Sequence, residues 1–190
     1  MKVLGINGSH RKDGNTSVMV CKALEVCVKN GLETEQVDLV DYDVRYCTVC
    51  DACRKEYACS QEDDGIGLLD RMRGADAIII ASPTYFGGVS GRLRTLFDRT
   101  LPLRRNGMML SGKIGGALAV GGSRNGGQEY VIHQIHAAML IHEMMIVGDS
   151  RTAHFGGIAT AHAPGSVLDD DVGMTTVLNL AENICARLRD

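Results

Sequence analysis

The stretch Ala75-Asp76-Ala77-Ile78-Ile79-Ile80-Ala81 restricts the fold more than any other part of the chain. An apolar run of strand length reads as a strand covered on both faces, and such strands belong to parallel sheets whose crossover helices lie above and below. The remaining sequence supplies the partners this requires. Residues 2 to 7 read as a short buried strand, Glu33 to Val40 alternates like a half-exposed one, Lys113 to Val120 is a fourth and Met144 to Gly148 a fifth. Helical patterns lie between them. Val18, Val20, Cys21, Leu24 and Val28 form an apolar stripe between an N-cap at Asn15 or Thr16 and a stop at Asn30-Gly31. Gly65 to Gly74, Leu93 to Arg99, Gln128 to His142 and a closing stretch from Asp171 to Leu188 read as further helices. Strands alternating with helices through right-handed crossovers give an α/β doubly wound fold. We expect one domain over residues 1–190, a five-stranded parallel sheet in the order 2-1-3-4-5, and a C-terminal extension over residues 153–190.

At 190 residues and 45% hydrophobic content, the chain is long enough to bury a full core. A formal net charge of -3 gives no electrostatic reason to expect nucleic acid. No stretch approaches the roughly 20 apolar residues of a membrane span, and Met1-Lys2 leads straight into Val3-Leu4-Gly5-Ile6 without the pattern of a signal peptide. The expectation is a cytoplasmic protein without membrane contact, where thiols stay reduced and clustered cysteines read as metal ligands.

Four of the seven cysteines, Cys47, Cys50, Cys53 and Cys59, follow the spacing C-x2-C-x2-C-x5-C in the loop after the second strand. Short x2 steps let a loop curl round a cubane and present three sulfurs, while the longer step carries a fourth across, so the run over residues 47–59 points to an iron-sulfur cluster. Zinc remains a rival, although its structural sites usually pair two C-x2-C knuckles across a long segment. A redox disulfide within one C-x2-C pair is the third reading. With no second set of cysteines, one cluster is the ceiling. Cys21, Cys27 and Cys185 lie on helical stretches and read as small buried hydrophobes.

Three other loops carry ligand-like chemistry. After the first strand, Ser9-x-Arg11-x-x-Gly14-Asn15-Thr16 feeds a helix N-terminus with hydroxyls, an amide and one guanidinium, a phosphate cradle suited to a mononucleotide. It is neither a Walker loop nor a dinucleotide fingerprint, and a plain strand-to-helix turn is the bland alternative. After the third strand, Pro83-Thr84-Tyr85-Phe86-Gly87 sets two aromatics beside glycines that admit a flat ligand. Tyr85 reads as a ring contact, whereas Phe86 serves equally well as a ring contact or as packing under the next helix. After the fourth strand, Gly121, Gly122, Ser123, Gly126 and Gly127 leave backbone N–H groups free to bind. The order 2-1-3-4-5 brings these loops to the crevice where a flavodoxin-like sheet holds FMN. Arg104 and Arg105 read as solvated charge, or as groups favouring an anionic reduced cofactor or an acidic partner. His133, His136 and His142 read as helix-surface or interface histidines.

Taken together, the Ser9 to Thr16 loop, the Pro83-x-Tyr85 turn with Leu96-Phe97-Asp98-Arg99 after it, and the Gly121 to Glu129 loop resemble the NADPH-dependent FMN reductase-like flavoproteins. With the cysteine run added, the chain resembles the iron-sulfur flavoproteins of methanogenic and other anaerobic prokaryotes over nearly its whole length. The resemblance implies one FMN and one 4Fe-4S cluster per subunit, a homodimer or homotetramer in which a cluster faces the FMN of a neighbouring subunit, and a ferredoxin-type electron carrier as donor. His10 departs from the proline of many relatives. The expected activity is electron transfer from the carrier through cluster and FMN to a small-molecule acceptor such as a quinone, oxygen or peroxide, with no acid, base or nucleophile demanded of the protein. An NAD(P)H-dependent FMN or quinone reductase without a functional cluster is the competing expectation.

Overall fold

Strands form where the apolar runs lie. In the computed structural model, which describes residues 1–189, these are β1 (Lys2–Asn7), β2 (Glu33–Asp38), β3 (Ala77–Pro83), β4 (Ile114–Gly121), β5 (Met145–Ile146) and β6 (Gly157–Thr160). They build one parallel sheet in the order β2-β1-β3-β4-β5, as expected, with β6 also paired to β4. All of β4 is buried, as is β3 up to Pro83. Alternate side chains of β3 face opposite layers. Ala77, Ile79 and Ala81 pack with α1 (Asn15–Lys29) and α6 (Asp171–Arg187), whereas Ile78 and Ile80 pack with α2 (Gly65–Gly74), α3 (Gly91–Arg99), α4 (Leu101–Arg105) and α5 (Gln128–Leu140). Burying each isoleucine contributes ~1.5–3 kcal/mol, which makes β3 the keystone of both layers. At the edge, β2 is only half buried, and Lys2 of β1 reaches across to Glu35 at 2.7 Å.

The sheet has six strands where the sequence predicts five. β5 pairs only with Ile114 and Gly115, and β6 takes the same edge of β4 further along, from Leu118 to Gly121. Residues 147–156 loop out between the two halves because Asp149 accepts the backbone N–H groups of Arg151 and Thr152 and turns the chain away. The return to the sheet needs glycine. A Cβ on Gly157 would stand 2.4 Å from Leu118 Cδ2 and 3.0 Å from Val177 Cγ2, so any side chain there would prise β6 from its neighbours.

Helix α1 starts one residue earlier than an Asn15 cap requires, with Gly14 in the cap position and no side chain capping it. Its buried face is Thr16, Met19, Val20, Ala23, Leu24 and Cys27, rotated from the predicted stripe, and Cys21 and Val28 are exposed. The cause is α6, which lies across α1 and takes up the small side chains: Cys27 and Cys185 are both buried, with sulfurs 3.6 Å apart. Residues 101–105, to which the sequence assigns no element, form the short helix α4 with Pro102 in its first turn, where proline has no helical hydrogen bond to lose.

Candidate functional site

The carboxyl ends of β1, β3 and β4 open on a cleft of about 210 Å³. Ser9, Arg11, Gly14, Asn15 and Thr16 line it from the first loop, Pro83, Thr84 and Tyr85 from the second, and Gly121 and Gly122 from the third. The first loop is curled by its own hydrogen bonds. Asn7, held to Asp38 at 2.6 Å, accepts the Ser9 N–H at 3.0 Å, and Ser9 Oγ accepts the Arg11 N–H at 3.0 Å. The curl aims the uncapped start of α1 into the cleft, and no acidic side chain stands in its first turn. Unpaired first-turn N–H groups and the positive end of the helix dipole suit an anion there. In the facing wall, the Thr84 hydroxyl is buried without a partner among the described residues, a polar group that a bound ligand would satisfy.

A fourth wall escaped sequence reasoning. Ala161, His162 and Pro164, just after β6, close the cleft. They are tied in by Asn15, whose amide donates to the Ala163 carbonyl at 2.8 Å and accepts the Val167 N–H at 3.2 Å. Asn15 therefore holds the tail over the cleft with both ends of its side chain. The available signal was the Pro164-Gly165 turn after a stretch of small residues. Phe86, Gly87, Ser123, Gly126 and Gly127 stand outside the lining. Phe86 is fully exposed, because the Tyr85–Gly88 turn has both central residues at positive φ, 49° for Phe86 and 71° for Gly87, and it packs under no helix. Gly127 buttresses that turn: a Cβ on it would stand 3.2 Å from Gly87 Cα. His10 meets Tyr85 edge-on, with ring centroids 5.4 Å apart.

The cysteine run makes a second, tight cavity, lined by all four of Cys47, Cys50, Cys53 and Cys59. Val49 and Asp51 take left-handed conformations, φ 54° and 61°, which turn the loop sharply between thiols. For β-branched Val49 this costs ~1–3 kcal/mol, strain of the kind found at ligand clamps. Among the described residues, no three His, Cys, Asp or Glu side chains gather closely enough for a single ion; the thiols instead surround a space. The Ser60 hydroxyl and the backbone N–H groups of Ala52 and Ser60 lower the pKa of Cys50 to about 7, toward the thiolate form.

Arginines complete this cavity. Arg99, the last residue of α3, is buried and grips the fully buried Asp63 carboxylate through Nη1 at 2.6 Å and Nη2 at 2.8 Å. Asp63 also accepts the N–H groups of Arg45 and Gly65, and the guanidinium holds its carboxyl well below the usual range. Arg99 further donates to the Arg45 carbonyl at 2.7 Å and to Cys59 Sγ at 3.4 Å. Arg105 donates to Cys53 Sγ at 3.0 Å, which corrects its reading as solvated charge. At the other end of α3, its cap Ser90 donates to the Gly8 carbonyl, so one helix of about 13 Å joins the phosphate-type loop to the thiol cavity.

His142 is not a surface residue. It is buried with Nε2 2.8 Å from Thr100 Oγ1. The Thr100 hydroxyl already donates to the Phe97 carbonyl at 2.7 Å, so the network assigns the ring proton to Nε2. Burial pushes the His142 pKa down, and burial followed by the proximity of His133 pushes that of His136 to about 4.

A parallel sheet of this order, with its clefts at the strands' carboxyl ends, defines a flavodoxin-like α/β protein. The chain belongs to the NADPH-dependent FMN reductase family, whose sequence model matches residues 1–157. It is 48% identical over 185 residues to an iron-sulfur flavoprotein of Methanocaldococcus jannaschii, covering 97% of this chain and 95% of that one. It is 45% identical over 185 residues to the iron-sulfur flavoprotein of Methanosarcina thermophila, covering 97% and 94%. Among solved structures, a flavone reductase superposes with a TM-score of 0.73 at 21% identity; the match covers all of this chain and 64% of that one, a likeness of fold alone. No described helix is long and apolar enough to cross a membrane.

Proposed function

We propose that this chain is an electron-transfer flavoprotein that holds FMN in the cleft at the carboxyl ends of β1, β3 and β4 and one 4Fe-4S cluster on Cys47, Cys50, Cys53 and Cys59. The observation that carries the reading is the placement of all four thiols around one cavity, a ligand set of the number and type a four-iron cluster takes. The names of relatives 45% and 48% identical support it. The flavin phosphate belongs at the uncapped start of α1 with Arg11 and Ser9, and the ring belongs between Tyr85 and the Gly121–Gly122 backbone, with the Thr84 hydroxyl as a donor. Asn15 keeps the tail loop over the cleft. When bound, the cluster exchanges electrons singly and the flavin singly or in pairs, so the two together join a one-electron carrier to a two-electron acceptor.

The donor in this reading is a ferredoxin-type carrier and the acceptor a small molecule such as a quinone, oxygen or peroxide. A groove of about 350 Å³ beside the thiol cavity, walled by Cys47, Val49, Phe97, Leu101 and Ile141, supports docking of a carrier or of a second copy in a homodimer or homotetramer. The family's description favours one competing reading, an NAD(P)H-dependent FMN or quinone reductase without a functional cluster. Iron, acid-labile sulfide, zinc and FMN content of anaerobically purified protein separates the two. About four irons and four sulfides beside FMN support the two-centre carrier. FMN with zinc, or with no metal after reconstitution with iron and sulfide, overturns it in favour of the reductase.

A further inference from the structure

Two guanidinium groups touch cluster-ligand sulfurs in this chain, and their surroundings differ. Arg99 reaches Cys59, but the buried Asp63 grips it with two short hydrogen bonds, so the pair brings little net charge to the cavity. Arg105 reaches Cys53 at 3.0 Å, and the carboxylate beside it is Asp51 at 3.3 Å, half exposed and shared with Arg54 at 2.7 Å. Its charge is the less compensated of the two. The contact is also built. Asn106, the next residue, donates its side-chain N–H to the Cys53 carbonyl at 3.2 Å, so α4 and its C-cap hold Cys53 by sulfur and backbone together.

Reduction adds negative charge to a thiolate-bound cluster, and a cation donating a hydrogen bond to a ligand sulfur favours the more negative form. Partners of this kind, one step out from the metal, tune a site without binding it. Resting on the cluster reading above, we propose that Arg105 is a positioning residue that raises the cluster's reduction potential through Cys53, and that Asp51, between Cys50 and Cys53, opposes it. In the step concerned, one electron passes from a mediator to the bound cluster, with no bond made or broken.

The test is an EPR-monitored redox titration of the anaerobic holoprotein as parent, R105Q, R105K and D51N, with iron, sulfide and FMN measured in each. Asp51 sits at φ 61°, a conformation asparagine adopts readily, so D51N removes the charge without straining the loop. Arg105→Gln is expected to shift the ratio of reduced to oxidised cluster at fixed solution potential about tenfold toward oxidised, a fall of about 59 mV for one electron. Arg105→Lys recovers part of the shift, and Asp51→Asn moves the potential upward. A purely structural role would move R105Q and D51N in the same direction or leave both within about threefold of the parent, and either result overturns the inference. If R105Q loses its iron, D51N decides, and an unchanged or lowered potential there overturns it. A parent lacking iron and sulfide overturns the cluster reading and this inference with it, whereas a clustered parent whose variants do not respond overturns this inference alone.

Discussion

Asp63→Ala tests the buried pair beneath the thiol loop. The Asp63 carboxylate accepts four hydrogen bonds, two from Arg99 and one each from the N–H groups of Arg45 and Gly65, and its side chain is wholly enclosed. Truncation leaves the Arg99 guanidinium in the same enclosure with, among the described residues, the Arg45 carbonyl and Cys59 Sγ as its acceptors. Removing one member of a buried ion pair costs ~3–5 kcal/mol, because the other charge stays desolvated. For a chain of this length each kcal/mol lowers Tm by ~2–4 °C, so a fall of roughly 6–20 °C is expected. Differential scanning calorimetry at matched protein concentration and cofactor content reads it, since bound ligands shift Tm by mass action. The double change Asp63→Leu with Arg99→Met should restore much of the loss, because a well-packed apolar pair replaces the buried charges. A folded D63A within about 2 °C of the parent would refute the argument that desolvated charge dominates here.

Cys53→Ala should abolish iron and sulfide binding while FMN stays bound, because the thiol cavity and the cleft are lined by different loops; loss of FMN from a folded variant counts against separate sites. Gly156→Ala places a Cβ 2.3 Å from the Ala117 carbonyl oxygen, so urea unfolding should show a loss of ~1–3 kcal/mol, whereas Gly67→Ala in α2 meets nothing and should be neutral or stabilising by up to ~1 kcal/mol. A folded-state histidine pKa held below its unfolded value near 6.5 contributes stability that is present above that pH and lost as pH falls toward the folded value. With His136 at about 4 and His142 also lowered, stability should decline from about pH 6.5 toward 4, and His136→Leu should flatten the slope in urea titrations at stepped pH.

Strand order was legible because the apolar runs of β1, β3 and β4 allow few alternatives and the polar β2 could only be an edge. β6 was not, since Gly157-Ile158-Ala159-Thr160 is short and small-residued, and its strand character comes from the open half of β4. The face of α1 was misjudged because Cys27 is buried by a helix that begins more than 140 residues later. The thiols were readable because their cavity is local in sequence. Arg99 and Arg105 were not, for a basic residue at a helix C-terminus looks the same in sequence whether it faces water or a sulfur. The tail's share of the cleft was hidden for a related reason: Asn15 and Ala163, which fasten it, are 148 positions apart.

That fastening separates the two centres in time. During synthesis the last of the four thiols is added at residue 59, but the last wall of the cleft, at Ala161 to Pro164, follows about 105 residues later. At ~5–20 residues per second the interval is roughly 5–20 s, by the end of which the thiols precede the cleft's missing side along the emerging chain. The nascent cysteines are therefore open to oxidants and stray metal ions before the cleft has its last side. In the proposed reading, firm retention of FMN would report that the tail has docked.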